Sequence, residues 1–119
     1  MTANPLFRFA AIFNFVVGGA LLLAYRWVAP MLGIQGGPTV WLHLTALVVL
    51  VFGYAYWCVS RDPVRYRPYV SLGAIGKLCF VVAIYGHWLA GGASEAMALL
   101  VSADLVFAVL FAAYLRTSA

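Results

Sequence analysis

The sequence predicts an all-α integral membrane protein, with four transmembrane helices in an up-down bundle. Three observations predict it. Of 119 residues, 66% are hydrophobic and 8% are charged, and the mean hydropathy is +1.03. Soluble domains carry roughly 25% charged residues, so the bilayer is the solvent this composition suits. The apolar residues also fall into four runs, each long enough to cross the hydrocarbon layer, which takes roughly 20 residues of helix. Turn-forming residues and arginines separate the runs, and once the four are placed nothing remains for a soluble domain. The chain is a single transmembrane domain over residues 1–119.

The first helix is predicted over about 6–28. Its run "AAIFNFVVGGALLLAY" follows Arg8 in the manner of a secretory leader, but it is too long for one and lacks a small-residue cleavage site, so it reads as a retained helix. The segment "APMLGIQGGPT", with Pro30, Gly33, Gly36, Gly37 and Pro38, ends it. Its "GIQGG" follows no strand and carries no phosphate-loop lysine, which makes it an external turn rather than a phosphate cradle. The second helix is predicted over about 39–60 and stops at "RDPVRYRP", where Asp62 before Pro63 signals a turn or cap. The third runs over about 68–90 and stops at "AGGAS". The fourth runs over about 95–116, with Ser94 placed to cap it and Glu95 near its positive end.

Arginine falls on one side of this pattern. Arg8, Arg61, Arg65, Arg67 and Arg116 gather at one end of the helices, and only Arg26 lies at the other. Basic residues are retained on the cytoplasmic side, so both termini are expected there, with the protein in a bacterial inner membrane. The net charge of +4 then follows from topology and anionic headgroups. No nucleic-acid partner is expected, because no free basic surface of useful size remains. Trp27, Trp41 and Trp88 are placed as anchors at the outer interface, and Tyr66, Tyr69 and Tyr114 at the inner one. Cys58 and Cys79 have no metal-type spacing and read as small buried hydrophobes. "LVFGYAYWCVSR" and "LVFAVLFAAYLR" both close a helix on arginine, which fits a duplicated helical hairpin as well as it fits chance.

Lys77 is the residue most out of place, deep in the third helix within "LGAIGKLCFVVAIYGHW". A lysine at mid-membrane costs about 2.5–3.5 kcal/mol on insertion scales, so it needs a partner, water or the bundle interior. Asp104 lies at a similar depth in the fourth helix, and the short hairpin makes those helices neighbours. Asn14 on the first helix and Tyr54 on the second reach nearly the same level, which predicts a polar layer of Asn14, Tyr54, Lys77 and Asp104. Asn14, Gly18, Leu21 and Tyr25 share one stripe, and Gly73, Lys77, Ile84 and Trp88 another. Two roles suit this layer. One is a neutralised lock between helices, and the other is a site that binds a polar ligand group or passes protons.

His43 and His87 form a second candidate site at the outer level, with Glu95 and Arg26 nearby. They could serve as axial haem ligands, with Arg26 by a propionate, or with Glu95 as a metal set lacking any short ligand motif. With Glu95 they could also gate a path to Lys77 and Asp104, or they could be interfacial histidines bonded to backbone and headgroups. The sequence names no cofactor. Ser60, Ser71, Ser94 and Ser102 have no paired base that would make a nucleophilic triad, and Ser102 reads as a hydrogen-bonding group within or between helices. No catalytic residue is assigned.

In size and topology the chain resembles small four-helix membrane proteins, including DoxX-like ones, but it carries no motif that transfers a function. It also has the size of a small multidrug exporter, yet Asn14 stands where that family's intramembrane glutamate is expected, which argues against proton-coupled drug export. The reading that follows is a protein that binds or transports a small or amphipathic molecule through its polar layer. The alternatives are a membrane redox or enzyme subunit using His43 and His87, and a structural accessory subunit. The expected partners are the bilayer, a small or amphipathic ligand, and a second copy or a larger membrane complex.

Overall fold

The protein is described here by a computed structural model covering residues 3–117. Its helices are α1 (Ala3–Leu23), α2 (Tyr25–Met31), α3 (Thr39–Arg61), α4 (Arg67–Leu89) and α5 (Glu95–Thr117), and no strand occurs among the described residues. Pro5–Leu23 of α1 and the whole of α3, α4 and α5 are long and apolar enough to span a membrane. The chain is a small integral membrane protein. Its outward faces carry large apolar side chains such as Phe9, Leu23, Val51 and Leu89, all mostly exposed, as lipid contact requires.

The first span departs from expectation. In place of one helix over about 6–28, the chain breaks at Ala24 (φ −122°, ψ 28°) and restarts as the short α2. No glycine or proline stands at the break. The turn brings Ala29 into the bundle and sets the Tyr25 ring edge-on to His43, with centroids 5.1 Å apart. Tertiary seating therefore explains it, and local propensity does not. Other expected signals hold. Ser94 Oγ accepts from the Met97 N–H and so caps α5, Glu95 lies in its first turn, and the Arg65 N–H donates to Asp62 Oδ1 in the turn before α4.

The bundle is packed unevenly along its length. At the arginine-rich end, Phe7, Ala10 and Ala11 of α1 meet Tyr56 and Val59 of α3, Val70 of α4, and Phe111 and Tyr114 of α5 in one buried cluster. Phe7 stacks on Phe111 at 4.6 Å and meets Tyr114 edge-on at 5.6 Å. Tyr114 is thus a core residue, not the interfacial anchor its position suggested, because the stripe it shares with Phe111 and Ala108 faces inward. Cys58 is buried as expected, whereas Cys79 lies on an exposed face of α4.

Helices α3 and α4 also close on each other through two aromatic rings laid on two glycines. A Cβ at Gly73 would lie 2.5 Å from Cε1 of Tyr56, and one at Gly76 would lie 3.2 Å from Cε1 of Phe52. Absent side chains on α4 make the room these rings occupy. Beyond Phe52 the helices part, and the space between them, backed by α1 and α5, becomes a cavity. A second tie joins the far end: Ser94 Oγ donates to the Leu32 carbonyl at 2.6 Å, linking the end of α2 to the start of α5.

Gly73→Ala should therefore lower stability by about 1–3 kcal/mol through overpacking. Gly86→Ala, whose Cβ would meet no atom within 4 Å, should be neutral or raise stability by up to about 1 kcal/mol through helix propensity. Thermal unfolding of both variants in one detergent checks the contrast, and equal melting temperatures would contradict the Tyr56 closure.

Candidate functional site

The cavity holds about 590 Å³ and runs from the middle of the bundle to the glycine-rich loop between α2 and α3. Its walls are mainly apolar: Val17 and Leu21 of α1, Val48 and Val49 of α3, Phe80 and Ile84 of α4, and Leu100 and Val101 of α5. Its polar floor is Asn14, Lys77 and Asp104. Lys77 stands ten residues into the 23-residue α4, so the floor lies near mid-span.

Each floor residue sits where its helix period demands. Asn14 is on the inward stripe of α1 with Leu21, and both line the cavity, as does Tyr25 of α2. Lys77 follows Gly73 by one turn on the inward face of α4, and its side chain is only 5% exposed. Its Nζ lies 2.5 Å from Asp104 Oδ1 and donates to Asn14 Oδ1 at 3.1 Å. Asn14 in turn donates through Nδ2 to the Val49 carbonyl at 3.0 Å. The rings of Phe107, Tyr56 and Phe13 surround the ammonium with centroids 5.2, 5.3 and 5.4 Å away. One amide thus joins α1 to α3 and to α4, while one carboxylate joins α4 to α5.

Three of the four residues expected in a polar layer come together, and Tyr54 does not. It is 63% exposed and lines no part of the cavity. Its depth suggested membership, but its angular position on α3 is wrong; Tyr56, two residues on and about 200° round the helix, takes the place beside Lys77. The signal for Tyr56 was present in the sequence: Leu42, Thr45, Val49, Phe52 and Tyr56 follow 3,4,3,4 spacing and all line the cavity. Tyr85 and Ser102 add a second bridge between α4 and α5 at 2.6 Å, and Ser102 Oγ also donates to the Ala98 carbonyl.

The two histidines have different surroundings. His87 is exposed near the end of α4, and His43 faces Tyr25, with Nε2 buried and unpartnered. Neither lines the cavity, nor does Glu95, so these three do not gate it; the rim is formed by Leu32, Ile34, Pro38 and Trp41. Among the described residues no three His, Cys, Asp or Glu side chains gather to hold a metal ion, which overturns the His43, His87 and Glu95 set. The cause is angular. His43 is eleven residues before Tyr54, so it shares that residue's displacement from the cavity-facing stripe.

Comparison of the chain with known protein families, curated proteins and solved structures finds no match.

Removing either member of a buried pair strands the other charge, at a cost of about 3–5 kcal/mol. Lys77→Met and Asp104→Asn should each destabilise the protein by roughly that amount, and the double variant should recover most of it. A double-mutant cycle on thermal or denaturant unfolding reads the coupling, and additive effects would refute a paired floor.

Proposed function

We propose that this protein binds, and by binding carries or presents, a small amphipathic molecule within the membrane. The observation that carries the proposal is the combination in one cavity: about 590 Å³ of space, mainly apolar walls, and charged groups confined to one end. Small-molecule sites have this form, typically enclosing about 300–1,000 Å³ with a few placed polar groups. A molecule with an apolar body and a polar end fits it with the body along Leu21, Val48, Ile84 and Leu100 and the polar end at Lys77, Asp104 and Asn14. The parting of α3 from α4 gives such a molecule a lateral route from the lipid.

The arginine-rich end supports a cytoplasmic location for both termini, so the cavity would face the other leaflet. The same asymmetry suits a bacterial inner membrane. A second copy could cover the lipid-facing groove without altering the floor. The competing reading as a haem or metal subunit draws no support from the different surroundings of His43 and His87. A purely structural subunit would be expected to pack its interior fully.

Native mass spectrometry of the gently solubilised protein tests the proposal. The expected spectrum carries an organic or lipid-like adduct that is reduced in Leu100→Trp, which narrows the cavity, and in Lys77→Met. A chain that stays bare from every lipid background, or an adduct indifferent to both changes, would overturn it.

A further inference from the structure

The floor of the cavity has a property that selects among amphipathic molecules. Lys77 is the only lysine of the sequence, and its ammonium meets Asp104 at 2.5 Å. Whether the shared proton rests on Nζ or on the carboxyl group, the net charge of the pair is zero. Among the described residues no other Asp, Glu, Lys, Arg or His lines the cavity, so their contribution to the site is neutral as a whole. A charged headgroup brought to mid-membrane would find no counter-charge there.

Hydrogen-bonding capacity is nevertheless left over. An ammonium has three donors. Lys77 uses one on Asp104 Oδ1 and one on Asn14 Oδ1, and the third meets no oxygen among the described residues. Asp104 accepts through Oδ1, and its second oxygen takes no hydrogen bond from a described residue. The Asp104 side chain is 20% exposed, against 5% for Lys77, and both residues line the cavity. The pair that lines this uncharged floor therefore keeps one donor and one acceptor that no oxygen or N–H of a described residue engages.

From these two facts we infer that the occupant is an uncharged single-chain amphiphile whose head both donates and accepts a hydrogen bond, of the hydroxyl or carboxamide class. Its oxygen accepts from Lys77, and its O–H or N–H donates to the free oxygen of Asp104. Its chain lies along the wall from Lys77 to Ile84, about 10 Å of helix rise. Asn14 acts as a positioning residue: by accepting from Lys77 and donating to Val49 it fixes which ammonium hydrogen remains free. The inference rests on the cavity being a ligand site, and it adds the class of ligand.

The test uses the full chain labelled with [13C]lysine, which gives one side-chain signal, in phosphatidylcholine nanodiscs. The probes share a twelve-carbon chain: 1-dodecanol, dodecanamide, 1-dodecanesulfonate, dodecyltrimethylammonium and n-dodecane. The alcohol and the amide should bind saturably and shift the Lys77 signal. The two permanently charged probes should bind at least about tenfold more weakly, given the cost of an unpaired charge at this depth. The alkane should leave the Lys77 signal in place. Asp104→Asn should invert the selectivity by leaving Lys77 uncompensated, so that the sulfonate gains at least about tenfold and overtakes the alcohol. The wild-type series decides the matter even where that variant does not fold.

Sulfonate or trimethylammonium binding as tightly as the alcohol would overturn the neutral-head inference while leaving the cavity a ligand site. Alcohol, amide and alkane binding alike without moving the Lys77 signal would overturn it too, by making the cavity an apolar space alone. Saturable binding by none of the five would remove the ligand-site reading together with it.

Discussion

An ammonium group held halfway across a membrane must be satisfied from within the protein, and this requirement organises the bundle. Lys77 cannot reach water along its own helix, because either end of α4 is about 15 Å or more away at 1.5 Å per residue. It therefore draws partners from its neighbours: Asp104 from α5, Asn14 from α1 and, through Asn14, the Val49 carbonyl of α3. Among apolar helices in lipid there is little hydrophobic drive to associate, so packing and such polar contacts decide which faces meet. The contacts at this level tie every spanning helix to one point and fix their rotations about their own axes.

Packing on the two sides of that point differs in kind. Toward the arginine-rich end, close stacking of Phe7 on Phe111 and the fit of Tyr56 over Gly73 leave no room between the helices. Toward the other end, α3 keeps its partnership with α1 and α4 keeps its own with α5, and the cavity lies between the two pairs. A bundle so arranged could splay without limit, but the Ser94 bond to the Leu32 carbonyl closes the far end. The cavity is thus bounded by an aromatic clamp below and a backbone tie above. Its volume follows from that spacing and needs no bound molecule to hold it open.

Much of this was legible in the chain. The spans predicted over about 39–60, 68–90 and 95–116 match α3, α4 and α5 to within a residue or so at either end, because arginine, proline and glycine clusters punctuate the runs clearly. Asn14, Lys77 and Asp104 were also legible, since polar groups at one depth in a bilayer have few partners to choose from. Two things were not. The break at Ala24 depends on where Ala29 and Tyr25 find seats, which only the assembled bundle defines. The choice of Tyr56 over Tyr54 depended on angle, and matching residues by depth discards the angle. An apolar helix that could turn any of several faces inward gives the period too little contrast to correct the error.

A lock between helices and a site for a ligand look like alternatives for an intramembrane pair, but in the function proposed above one arrangement serves both. A pair used only as a lock would be expected to have all its oxygens and hydrogens engaged, because every group left over in hydrocarbon costs free energy. Lys77 has two of its donors engaged, and Asp104 keeps one oxygen open beside a cavity. The engaged half holds the helices in register and immobilises both side chains. In the proposed function that rigidity would spare an arriving head group the cost of ordering the floor. The contact that ties the helices together is therefore the same contact that would preorganise the proposed site.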